Sequence, residues 1–228
     1  MSIAENIKEV KASIERACGR ANRGPQTVKL VVVTKAVDAS RIQEAVAAGV
    51  TCVGENRVQE AWQKFNAVDA AVHWHLIGHL QTNKVRRALQ FVQMIHSVDS
   101  TRLAHEIQVQ AEKLDKTVEV LIQVNTSGEE SKFGLAPEEA LPAIKEMAQF
   151  PRVQIKGLMT IGAFTTEVEV VQGCFRRLRE LRDRVEEHQI SGVVMHELSM
   201  GMTNDFELAI EEGATMVRIG RSIFGERQ

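Results

Sequence analysis

Tyrosine is missing from this 228-residue sequence, so no step carried out within the chain can use a phenol as acid, base or nucleophile. Cysteine is scarce: Cys18, Cys52 and Cys174 are odd in number, widely scattered and without C-x-x-C spacing. That pattern implies neither a disulfide framework nor a cysteine metal site, and leaves three buried thiols as the expectation. Neither sign of charge is in excess, with 28 Lys+Arg against 30 Asp+Glu, so nothing marks a nucleic-acid or anionic-membrane partner. No stretch approaches the ~18 unbroken apolar residues of a membrane span, and the opening MSIAENIKEVK is polar where a secretory signal is apolar. A cytoplasmic protein is expected. What is present is 44% hydrophobic content, at a length that buries a sizeable core in one domain, residues 1–228.

The apolar positions are periodic. Ile3, Ile7, Val10, Ile14 and Ala17 step by four and three, the stripe of an amphipathic helix. VKLVVVT then reads as a parallel strand buried on both faces. Seven further strand-like stretches follow: Thr51–Gly54, His73–Gly78, Met94–Val98, Val118–Val124, Val153–Ile161, Val193–Ser199 and Met216–Ile219. Helical patterns separate them, among them NRVQEAWQKF, the long segment Val170–His188, and NDFELAIEEG, where Asn204 and Glu207 have capping-box spacing. The run FRRLRELRDRVEEH reads as a solvated face laced with i,i+4 pairs. Eight units of about 28 residues in strict alternation require a parallel sheet, and favour a closed (β/α)8 TIM barrel with an additional N-terminal helix over an open doubly wound sheet.

In such a barrel the chemistry sits at the C-terminal ends of the strands. The residues there are Lys35, Glu55 with Asn56, His79, Asp99, Asn125, Thr160, Ser199 to Gly201, and Gly220. A lysine leaving an all-apolar strand is expected to be partly desolvated, which favours a nucleophilic amine able to form a Schiff base; a lysine that merely snorkels to solvent is the plainer alternative. The loops after strands seven and eight, Ser199 to Thr203 and Gly220 to Ser222, lie where many barrels bind phosphate, and Gly220 and Arg221 offer backbone N–H groups. Two ordinary tight turns would look the same. Strands one and eight are neighbours in a closed barrel, so Lys35 and these loops open into one mouth, and an amine beside a phosphate cup suits an aldehyde that carries a phosphate.

LVVVTK, VGENRVQE, WHLIGHLQTNKVR, IHSVDS, VLIQVNTSGEESKFGL, GLMTIGAF and LSMGMTNDFELAIEEGATMVRIGRSIFG, in this order over nearly the whole chain, resemble the pyridoxal phosphate homeostasis proteins. That family includes a bacterial single-domain form and the eukaryotic proline synthetase co-transcribed homologue. The resemblance implies the barrel of the alanine racemase N-terminal domain, with pyridoxal 5'-phosphate (PLP) held covalently, as a Schiff base, on Lys35. It implies a non-catalytic role in vitamin B6 homeostasis with indirect effects on amino-acid pools. By the same correspondence Ser199 and the amides around Met200, Gly201, Gly220 and Arg221 would bind phosphate. Arg218 would face the pyridine nitrogen, while Asn56, Met159 and Thr160 would line the ring. Thr34, Ala36 and Thr203 depart mildly from the residues common in the family. A monomer is expected, with PLP-dependent apo-enzymes as candidate recipients.

A PLP-dependent racemase is the alternative. Two-base racemisation needs a proton acceptor on each face of the substrate, and Lys35 supplies one; in racemases of this barrel type the opposing base is a tyrosine from a second domain, and this chain has no tyrosine. A protein that passes PLP to apo-enzymes by direct contact is a third reading. His73, His75 and His79 could in principle bind zinc, but no carboxylate or cysteine partner is evident, and no metal is expected.

Overall fold

Ser2 starts the first helix: its hydroxyl accepts from the Glu5 N–H, while the Glu5 carboxylate accepts from the Ser2 N–H. The computed structural model describes residues 1–68 and 72–225. Helix α1 (Ile3–Arg20) leads into β1 (Lys29–Val33), α2 (Ala39–Ala47), β2 (Cys52–Glu55), α3 (Val58–Phe65), β3 (His73–Leu76), α4 (Val85–Ala88), β4 (Met94–Val98) and α5 (Thr101–Lys113). Then come β5 (Val118–Gln123), α6 (Pro137–Met147), β6 (Val153–Met159), α7 (Val168–Glu187), β7 (Glu197–Met202), α8 (Phe206–Glu211), β8 (Met216–Ile219) and the short α9 (Arg221–Phe224). The eight strands close into a parallel barrel in sequence order, with β8 returning to β1. Among the described residues no helix is long and apolar enough to cross a membrane.

Side chains alternate across each strand between the barrel interior and the layer beneath the helices. Val31, Cys52, Met94, Leu121, Met159 and Met216 pack together inside. Their strand neighbours Val32, Val53, Ile95, Val120, Leu158 and Val217 belong to the larger core under the helices. Counting by twos from the interior set puts Gly54 and Asn56, His96, Arg218 and Gly220, and beyond the end of β1 Lys35, on the inner side.

Strand β7 runs about three residues later than its apolar pattern suggests, because pairing with β6 begins at Glu197 and the chain continues through a register shift between Ser199 and Met202. Gly201, at φ +90°, is the residue that makes this possible. Nor does a capping box open α8. The carboxylate of Asp205 turns back to accept from the Met202 N–H at 2.6 Å, and Glu207 is drawn to Arg20 of α1 at 2.6 Å. The charged face of α7 is also less solvated than its spacing suggests. Arg182 and Glu186 form an i,i+4 pair at 3.9 Å, but Arg176 and Arg179 reach across to the Glu212 carboxylate at the end of α8.

Aromatics are few and concentrated. Phe65 and Phe91 meet at 5.5 Å between ring centroids, with Trp74 against both and Trp62 stacked on Phe65, so α3, β3 and the turn after α4 share one aromatic corner.

Candidate functional site

The chain reverses immediately after β1. Thr34 donates its N–H to the Gly54 carbonyl, and Val37 donates back to the Thr34 carbonyl, both at 3.0 Å, so Lys35 and Ala36 form the turn between them. Ala36 sits at φ +58°, a left-handed conformation that costs a non-glycine residue about 1 kcal/mol. Helix α3 holds it there. The Ala36 N–H donates to Glu60 Oε1 at 2.5 Å. Lys64 Nζ, one helical turn on, donates to the Thr34 carbonyl at 2.8 Å, to Glu60 Oε1 at 2.6 Å and to Glu55 Oε1 at 2.8 Å. The Thr34 hydroxyl adds a 2.7 Å bond to the same Glu55 oxygen. The residues on both sides of half-buried Lys35 are thus clamped from outside the barrel while strand alternation carries Lys35 to the inside. Burial raises the Glu55 pKa against the opposing bonds from Lys64 and Thr34. Burial also acts upward on Glu60, but the bonds from Lys64 and Ala36 outweigh it and hold that carboxylate below its ordinary value.

On the adjacent strand Val31 is in register with Arg218. The Arg218 side chain is buried inside the barrel, with Nη1 donating to Ser199 Oγ at 2.6 Å and Nη2 to the Thr160 carbonyl at 2.7 Å. Behind Ser199 stands His96, Nδ1 to Oγ at 2.9 Å, and behind His96 stands His75, Nδ1 to Nε2 at 2.9 Å. Burial pulls Arg218 down to about 10, with Asp205 opposing, so the guanidinium stays charged at neutral pH. Burial likewise pulls His75 down to about 3 and His96 well below its ordinary value, and both rings are neutral.

Above Arg218 the next inward position on β8 is Gly220, where an added Cβ would lie 2.9 Å from the Val33 carbonyl oxygen, so that wall of the mouth is main chain. At Gly201 an added Cβ would lie 2.5 Å from Ala209 Cβ, in a backbone conformation that side chains rarely adopt. Gly201→Ala is therefore expected to cost about 2 kcal/mol and lower Tm by about 5 °C, because it pushes β7 off α8; an unchanged melting temperature would show that the bulge tolerates a side chain.

The expected site residues sort by this geometry. Met159 lies in the apolar floor and Arg218 is buried inside the barrel, and the count of two assigns Lys35, Asn56 and Gly220 to the same inner side. Thr160 is buried, its hydroxyl 3.0 Å from that of Thr126 and its carbonyl bound by Arg218. Arg221 is exposed at the start of α9. The Ser199 hydroxyl, expected at the phosphate, is committed inside the barrel to Arg218 and His96. Met200 turns its side chain into the core under the helices and leaves only main chain toward the mouth. Half-buried Thr203 is the next hydroxyl along β7. Reasoning from strand ends missed His96, although its spacing of two from Met94 marks an inward position, and it missed Lys64, whose i,i+4 relation to Glu60 was the available signal.

The three histidines of the H-x-H-x-x-x-H cluster are separated: His73 is exposed, His75 is buried inside, and His79 stands at the mouth, stacked on Phe133 and bonded to Asp99. Among the described residues no group of three His, Cys, Asp or Glu is placed to hold a metal.

The family profile of the alanine racemase N-terminal domain matches residues 3–228. A pyridoxal phosphate homeostasis protein of Aquifex aeolicus is 44% identical over 229 residues, spanning the whole of both chains. The structure of PipY from Synechococcus elongatus with PLP bound is similar at a TM-score of 0.85 and 34% identity, over 98% of this chain and all of that one. An alanine racemase of Clostridium difficile shares the fold, at a TM-score of 0.78 and 17% identity, over 98% of this chain and 57% of the racemase. With full-length identity at that level and the same barrel fold, the chain belongs to the pyridoxal phosphate homeostasis protein family.

Proposed function

We propose that this protein holds pyridoxal phosphate on Lys35 and serves PLP homeostasis as a carrier rather than as a catalyst. What supports the reading is the register of β1 and β8, which sets Val31 beside Arg218 and, counting by twos along β1, brings Lys35 to the same inner side. Two of the five guanidinium N–H donors are committed to the barrel wall, and a buried cation with donors to spare suits a ligand that brings lone pairs and negative charge. The wall above it is main chain, with Gly220 packed against the Val33 carbonyl. When bound, pyridoxal phosphate supplies an aldehyde that a lysine amine captures with loss of one water.

Arg218 donates toward the pyridine nitrogen and keeps its own protons at neutral pH, so that nitrogen stays an acceptor. Such a ring is a poor electron sink, which favours holding over turnover. Main-chain N–H groups at Gly201, Thr203, Gly220 and Arg221 take the phosphate, joined by the Thr203 hydroxyl in the place first given to Ser199, while the Met202 N–H stays on Asp205. Asn56, Met159 and Thr160 bound the ring. Curated relatives that bear the homeostasis name, and PipY with PLP bound, support PLP as the ligand.

Borohydride reduction of the PLP-loaded protein followed by peptide mapping is expected to place the label on Lys35 alone. Label on another lysine would refute the site. Racemisation of free amino acids at rates comparable with dedicated racemases would refute the carrier reading.

A further inference from the structure

We propose that Ser199, His96 and His75 form a one-directional hydrogen-bond chain that positions Arg218 for the cofactor ring, making Ser199 and His96 positioning residues. This rests on the PLP reading above.

The direction follows from what each group can do. A guanidinium has donors and no acceptor, so Ser199 Oγ accepts from Arg218 at 2.6 Å. The hydroxyl has one proton to give, and its other partner among the described residues is His96 Nδ1 at 2.9 Å. If His96 carried its proton on Nδ1, that nitrogen and Arg218 would both donate to Ser199, and the hydroxyl proton would be left without an acceptor inside the barrel. His96 Nδ1 therefore accepts, and its proton lies on Nε2. From there it donates across 2.9 Å to His75 Nδ1, which fixes His75 as the Nε2–H tautomer as well. The charge on Arg218 thus sets the tautomer of two neutral rings, one on β4 and one on β3.

Packing does not account for this layer. The adjoining interior layer is apolar, built from Val31, Cys52, Met94, Leu121, Met159 and Met216. Four buried polar side chains from β3, β4, β7 and β8 are costly unless every one is paired, and an apolar layer of equal volume would be at least as stable. What the polar layer supplies is orientation. Nη1 is pinned on Ser199 and Nη2 on the Thr160 carbonyl, so a planar fork held at two points cannot rotate, and the direction of its remaining N–H groups is set.

The test uses the full-length protein loaded with PLP, comparing wild type with Ser199→Ala, Ser199→Thr, His96→Ala and His96→Asn. The readouts are the absorbance bands of the bound cofactor and its release rate into an excess of competing amine. Ser199→Ala and His96→Ala are expected to release PLP about 10-fold faster and to change the ratio of the two bands. Ser199→Thr keeps the hydroxyl and His96→Asn keeps an acceptor where Nδ1 stood, so both are expected to stay within about 3-fold of wild type. Wild-type bands and release in both alanine variants would overturn the proposal. So would equal loss in His96→Asn and His96→Ala with unchanged melting, which would make His96 a packing residue. Should His96→Ala fail to fold, Ser199→Ala, which removes one oxygen, decides alone. Failure of the wild type to take PLP on Lys35 would instead bring down the cofactor reading and this proposal together.

Discussion

Lys35→Ala is expected to fold as the wild type does and to carry no covalently bound pyridoxal phosphate. The bonds that shape its turn belong to Thr34 and to the Ala36 N–H, so truncating the side chain between them leaves the clamp standing. Arg218 and the phosphate-facing turns remain, so the variant still binds PLP reversibly, and the cofactor is lost on gel filtration where the wild type retains it. Mass spectrometry after borohydride reduction reads the result directly: an unmodified chain is expected, and a reduced adduct on any other lysine would displace Lys35 from its assigned role.

The second large effect lies outside the barrel. Lys64→Met removes the ammonium that binds Glu55, Glu60 and the Thr34 carbonyl together, and leaves the Glu55 carboxylate, 1% exposed, without its cation. Among the described residues its Oε2 already has no hydrogen-bond partner. Breaking a buried pair from one side costs about 3 kcal/mol or more, about 9 °C in Tm for a domain of this size. The loss should depend on pH. Burial raises the folded-state pKa of Glu55, so the folded chain keeps this proton to higher pH than the unfolded chain does. The resulting stabilisation is complete below the unfolded value of about 4.3 and is lost as pH rises through the folded value. Without Lys64 the folded value climbs further and the window widens upward. Denaturant unfolding should therefore show the variant losing less relative to wild type at about pH 5 than at about pH 8. An equal loss at both would mean that Glu55 does not feel the missing charge. The turn that presents Lys35 loosens in the same variant, so faster PLP release should accompany the loss of stability.

Much of the fold is written locally. Runs such as VKLVVVT and VEVLIQV cannot be surface strands, and their alternation with amphipathic stretches leaves few arrangements other than a barrel. Lys35 and Gly220 were legible as strand ends for the same reason, whereas Arg218 follows from the family resemblance alone. What escaped sequence reasoning depends on contacts across the chain. Nothing near Thr34 announces that a lysine 30 positions later will hold its carbonyl. Ser199 carries the hydroxyl expected at a phosphate, yet a partner 103 positions away in β4 gives it another task. The bulge at Gly201 also breaks the count of two along β7, which is why a strand drawn from apolar residues alone stops short.

The chain contains two tryptophans and no tyrosine, and both indoles lie in the corner built by α3, β3 and the turn after α4. Its intrinsic ultraviolet emission therefore arises from one corner, which includes the helix that carries Glu60 and Lys64. A pyridoxal group at the mouth absorbs where indoles emit, so quenching of this signal would measure occupancy of the site in unlabelled protein, with no phenol background to subtract.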